Sequence, residues 1–100
     1  MHAITDTEAG SRMIMLSGVI DEAEAAAVRS ALIDAVWRRG PGDVIVEIGA
    51  TVAMDDTLLG ALMAASAVAA DRGATVLIRC EAAGIKQRLV SSGCVLTPAA

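Results

Sequence analysis

Aromatic side chains are almost missing. Trp37 is the one aromatic residue, and Phe and Tyr do not occur in the 100-residue chain. Basic residues are also scarce, with 8 Lys and Arg against 12 Asp and Glu and a net charge of −4. Nucleic-acid binders present a basic face and stacking aromatics, so DNA and RNA are not expected partners. His2 is the single histidine and lies at the N-terminal end, which removes most imidazole catalysis and most zinc sites. Gly18, Gly49 and Gly60 are isolated and no Lys-Ser/Thr follows them, so there is no Gly-rich phosphate loop. No nucleophile elbow or Ser-His-Asp set occurs. These absences imply no enzyme, no catalytic residue, no metal and no cofactor. Met1–Gly10 has neither a basic start nor an apolar stretch, and no apolar run approaches the roughly 20 residues of a membrane helix. The expectation is a cytoplasmic protein whose Cys80 and Cys94 stay reduced.

What is present is aliphatic. Hydrophobic residues make up 55% of the chain and charged residues 20%, with 2 prolines, which excludes disorder. With so few aromatics, the core must come from Ala, Val, Ile, Leu and Met, and the methionines are expected as gap-fillers within it, except Met54, whose loop position suits a contact surface. The pattern predicts an edge strand over 3–7 and a mostly interior strand over 12–17. A helix follows to about Arg39, capped by Asp21 with Glu24 three residues on. Ala25, Val28, Leu32, Ala35 and Val36 form its inner face, opposite Arg29, Ser30, Asp34 and Arg38. Gly40-Pro41-Gly42 stops it. A strand over 43–48 and a loop to Asp56 lead to a helix from about Thr57 that ends before Gly73. A strand over 75–79, a helix over 81–92 with Ile85 and Leu89 inward, and a short strand over 94–96 complete the chain. Strands joined by single helices lie parallel, through right-handed crossovers. The order β-β-α-β-α-β-α-β then gives an α/β fold, a mixed sheet of four to five strands with three helices. On parallel neighbouring strands, Cys80 and Cys94 fall at opposite ends, roughly 15 Å apart, too far for a disulfide. Trp37 is expected as a core or edge filler.

The helix after Asp56 is unusual. From Leu58 to Ala70 no residue is charged, and Ser66 is the one polar side chain. A small domain cannot easily cover every face of such a helix, so its start and one flank are a candidate contact surface for a partner or a second copy. The segment Val44–Leu62 (VIVEIGATVAMDDTLLGAL) resembles the signature of STAS domains, the anti-sigma-factor-antagonist family. In that family a strand ending in Asp-Leu-Ser leads through a loop into Asp-Ser-Ser/Thr-Gly-Leu-Gly at a helix start. Glu47 stands at the strand's Asp, Met54-Asp55 matches the hydrophobic-Asp pair, and Leu59, Gly60 and Leu62 match the Leu-Gly-x-Leu that follows. Leu16-Ser-Gly-Val-Ile-Asp21 looks like the motif before the first helix, and Ile85–Leu96 looks like the penultimate helix with its Ser-Gly and final strand. The resemblance spans about Arg12 to Thr97.

The resemblance implies a single STAS-like domain over residues 1–100, with the C-terminal helix of many members missing. It implies a non-enzymatic, regulatory interaction module of bacterial signalling that acts by partner switching. The unmodified antagonist binds an anti-sigma factor with an ATPase-type kinase fold, frees the sigma factor, and is switched off by Ser phosphorylation. Met54, Asp55, Asp56, Thr57, Leu58 and Leu59 are then the partner-binding residues. At the phosphoacceptor position stands Asp56, which a Ser/Thr kinase cannot modify, and Thr57 is the remaining hydroxyl. Leu58 replaces the family's Gly. Asp55 and Asp56 also suit helix capping. An alternative is a cytoplasmic STAS subunit of a lipid-transporting ABC assembly, with a permease and ATPase as partners, which needs no phosphoacceptor. No membrane insertion is expected, and a homodimer is a further possibility.

Overall fold

The computed structural model describes residues 2–6, 12–18, 20–39, 43–49 and 55–97. The expected helix stop at residues 40–42 lies outside them. The elements are β1 (His2–Asp6), β2 (Arg12–Leu16), α1 (Glu22–Arg39), β3 (Asp43–Ile48), α2 (Asp56–Asp71), β4 (Thr75–Arg79), α3 (Ala83–Ser91) and β5 (Val95–Leu96). The five strands lie in the order β1-β2-β3-β4-β5. β1 pairs antiparallel with β2, and the remaining neighbours are parallel. The fold is therefore the mixed α/β sheet with three helices that the sequence pattern implies.

Each helix connects one strand to the next, always in the same direction across the sheet. Right-handed crossovers of that kind place α1, α2 and α3 on the same face. Burial follows this geometry. Ile14, Leu16, Val44, Val46, Ile48, Val76 and Ile78 point to the helices and are buried, and so are Val28, Leu32 and Val36 of α1 and Leu58 and Leu62 of α2. These residues form one aliphatic cluster, and among the described residues no polar or charged side chain is buried. Alanines at Ala25, Ala35, Ala61, Ala65 and Ala69 let α1 and α2 pack closely over it.

The opposite face of the sheet differs from the expectation for β2, which is interior on one side only. Its methionines sit on the other side, where Met13 is half-buried and Met15 is 42% exposed. Met63 of α2 is likewise exposed. Met15 and Met63 are thus surface residues and not core fillers, and Met13 is half-buried on the sheet face that the helices leave open.

The helix signals act as read. The Glu24 amide donates to Asp21 Oδ1 at 2.8 Å, which caps α1. At the end of α2, Gly73 adopts φ 70°, a region favouring glycine, and the Ala74 amide closes back on the Ala69 carbonyl at 2.8 Å. The third helix is shorter than expected, Ala83–Ser91. Its N-cap is Ala82, which has no side-chain oxygen to satisfy the first amides, so Glu81 stays outside the helix. Leu89 is buried, and Ile85 packs partly buried against the core. Trp37 is 57% exposed at the end of α1, with the Arg72 guanidinium 3.7 Å above its ring. This cation–π contact ties the C-terminal ends of α1 and α2 together.

Cys80 and Cys94 are both buried free thiols. Burial pushes the Cys94 thiol up from its ordinary pKa. Little reactive thiolate forms in such a setting.

Candidate functional site at the start of the second helix

β3 carries the chain to Gly49 at the C-terminal edge of the sheet, where the Gly49 amide donates to the Leu16 carbonyl at 2.9 Å. Residues 50–54, Met54 among them, lie outside the described residues. The chain is described again at Asp55, which begins α2 in extended conformation (φ −95°, ψ 175°). Its carboxylate accepts from the Leu58 amide at 2.8 Å. Its carbonyl accepts from the Leu59 amide at 3.0 Å. An Asp in this position satisfies an orphan amide and complements the positive end of the helix dipole, together worth about 1–2 kcal/mol.

The next residues turn outward. Asp56 and Thr57 are exposed, and the Asp56 side chain retains 98% of its accessibility. Even so, Arg88 of α3 reaches it, with Nη2 2.8 Å from Asp56 Oδ1. Such an exposed pair contributes little stability and weakens with salt. It does place a cation beside the helix start. Leu59 is partly buried and lines a shallow groove of about 360 Å³ with Gly84, Gln87, Arg88, Ser91 and Ser92 of the α3 region.

Leu58 is the exception among the expected contact residues. It is 0% exposed and faces the sheet. One residue per turn of this helix must anchor it to the core, and the three-four spacing Leu58–Ala61–Leu62–Ala65–Ala69 makes Leu58 that residue in the first turn. Placing Leu58 on a contact surface is therefore corrected; the exposed part of the helix start is Asp55-Asp56-Thr57, flanked by Leu59 and Arg88. Arg88 was not legible as part of this site. Sequence shows it as a polar position on α3, and nothing local tells that the crossover returns α3 beside the start of α2.

Glu47 lies on the sheet face away from the helices and pairs with Arg79 (Nη1 to Oε2 3.3 Å). The C-terminal ends of β3 and β4 open into a second depression of about 410 Å³ lined by Glu47, Gly49, Arg79 and Glu81. Among the described residues no group of three His, Cys, Asp or Glu side chains converges as a metal site would require. Among the described residues no helix is long and apolar enough to cross a membrane.

No protein-family model matches the chain, and no curated protein matches it by sequence. Among solved structures, it is similar to the anti-sigma factor antagonist SpoIIAA in its unphosphorylated form. The TM-score is 0.79 and the identity 12%, covering 100% of this chain and 90% of that one. The chain therefore has a STAS-like fold. Asp55-Asp56-Thr57 stands at the N-terminus of α2.

Proposed function

We propose that the chain is a non-enzymatic interaction module of the anti-sigma-factor-antagonist kind. It binds an anti-sigma factor of ATPase-type kinase fold through the start of α2. The observation that carries this reading is the exposed Asp55-Asp56-Thr57 step on a STAS-like fold. There a cap fixes the backbone and the outward side chains are left to a partner. Leu59 and Arg88 border the same surface, and Met54 precedes it in sequence.

In partner switching, the unmodified antagonist captures the kinase and phosphorylation releases it. Asp56 takes the acceptor's place. It carries one negative charge, less than the −1.5 to −2 of a phosphate, and Arg88 stands 2.8 Å away to offset it. Both facts favour a state that resembles the unphosphorylated, binding-competent antagonist over one that resembles the phosphorylated form. Such a module would be permanently able to bind. Thr57 is a poor substitute acceptor, because a phosphate there would sit beside two aspartates.

The test is Asp56→Ser incubated with ATP and the partner kinase. We expect the variant to gain the mass of one phosphate at residue 56 and the wild-type chain to gain none. A variant that stays unmodified counts against recognition of this site by a kinase.

A further inference from the structure

The sheet face opposite the helices is uncovered among the described residues, and its pattern is specific. Strand register places Met13, Ile45, Leu77 and Val95 in one row across β2, β3, β4 and β5. One step toward the C-terminal end of the parallel strands, the next row runs Met15, Glu47 and Arg79. Ile45 and Leu77 lie on central strands, yet they are only half-buried and are not packed against the core cluster. Val95 is 47% exposed. A row of large aliphatic side chains left open across four strands marks an interaction surface.

From this pattern we infer that the open sheet face binds a second copy of the chain, face to face, about a two-fold axis that runs parallel to the strands between β3 and β4. The inference does not depend on the kinase partner proposed above. The charges select the occupant. That axis keeps height along the strands and exchanges β3 with β4 and β2 with β5. Ile45 then faces Leu77 of the second copy, and Met13 faces Val95. Glu47 faces Arg79 of the second copy, and the reverse, so each in-chain Glu47–Arg79 pair meets its complement. The four charges alternate in sign, and no charge is buried without an opposite neighbour. An axis across the strands at the height of Ile45 would instead set Glu47 against Asp43 of the second copy, a like-charge contact. Aligned sheets pack about 10 Å apart and within about 30°, which preserves the central pairs. Within the two rows the one Glu and the one Arg cancel, and Asp43 stands one row further toward the other end of β3. A face of that kind suits a self-complementary contact. An anionic membrane would call for clustered Lys and Arg.

Four strands make a small interface, so we expect a dissociation constant on the order of 10–100 µM. Sedimentation equilibrium of the wild-type chain between about 10 µM and about 1 mM should show a monomer–dimer equilibrium. Glu47→Arg alone and Arg79→Glu alone should each weaken association by about 100-fold, since like charges then oppose across the axis. An equimolar mixture of the two variants should associate again as a heterodimer. Dilution of the wild-type chain, followed by amide NMR shifts, should move Met13, Ile45, Leu77 and Val95 most; this reading requires no variant to fold. A wild-type chain that stays monomeric throughout overturns the inference. So do variants that dimerise as well alone as when mixed, or dilution shifts centred on α2.

Discussion

Leu58→Glu is expected to leave the chain unfolded. Leu58 is fully buried in the first turn of α2, within an aliphatic cluster that holds no polar side chain among the described residues. Truncation to alanine at such a site costs about 2–5 kcal/mol through lost burial and the cavity left behind. A glutamate adds the desolvation of a carboxylate with no partner, several kcal/mol more. A domain of this size is stable by about 5–15 kcal/mol, so the glutamate variant exceeds the available margin. Leu58→Ala should fold with its urea midpoint lowered by the equivalent of about 3 kcal/mol. Leu59→Ala, one residue further but only partly buried, should lose about 1 kcal/mol. Circular dichroism during urea titration separates these outcomes. A folded Leu58→Glu chain would mean that the helix start is anchored by something other than this side chain.

Gly49→Ala is expected to destabilise the chain although it adds only one methyl group, for a reason of space. A Cβ at residue 49 would lie 2.9 Å from the Leu16 carbonyl oxygen. That oxygen is the acceptor of the Gly49 amide, and it is backbone, so no side chain can swing away. The strands must part at the edge where β3 leaves toward the start of α2. We expect a loss of about 2 kcal/mol from combined overpacking and a weakened hydrogen bond. Gly60→Ala is the control, since a Cβ there meets nothing within 4 Å. On a helix it should be neutral to stabilising by up to about 1 kcal/mol. Equal loss in the two variants would show that the close approach at Gly49 carries no energetic weight.

These two residues also show how far sequence reading reaches. The inner face of α1 was legible because Ala25, Val28, Leu32, Ala35 and Val36 repeat at the helical period, and all five are buried. The parallel pairing of β2 through β5 followed from single-helix connections. Leu58 was harder. It sits in a run without charge, where every face of α2 looks alike, and only the position of the sheet picks out the buried stripe. In the sequence Gly49 is only an isolated glycine, yet its role is a close approach to a strand more than thirty positions earlier. The methionines show the same limit in reverse. Met13 and Met15 flank the buried Ile14 in an apolar strand, and no local pattern tells that all three helices cover one face. Arg88 joins Asp56 across thirty-two positions, a contact set by the crossover of α3 and by no motif. The likeness to STAS domains was legible in short ordered motifs at correct spacing, and the whole-chain similarity to SpoIIAA gives the same fold at 12% identity.

The most direct test of the proposed function is affinity capture from native lysate with the wild-type chain and with Asp56→Arg side by side, read by mass spectrometry. Asp55 still caps α2 in the variant, so loss of a partner reports on the surface and not on the fold. We expect the wild-type chain to retain an anti-sigma factor of ATPase-type kinase fold and the variant to lose it by at least about tenfold, as like charge facing a complementary patch requires. Capture of a transporter permease and its ATPase instead, or of the kinase equally by both chains, would contradict partner binding through the start of α2.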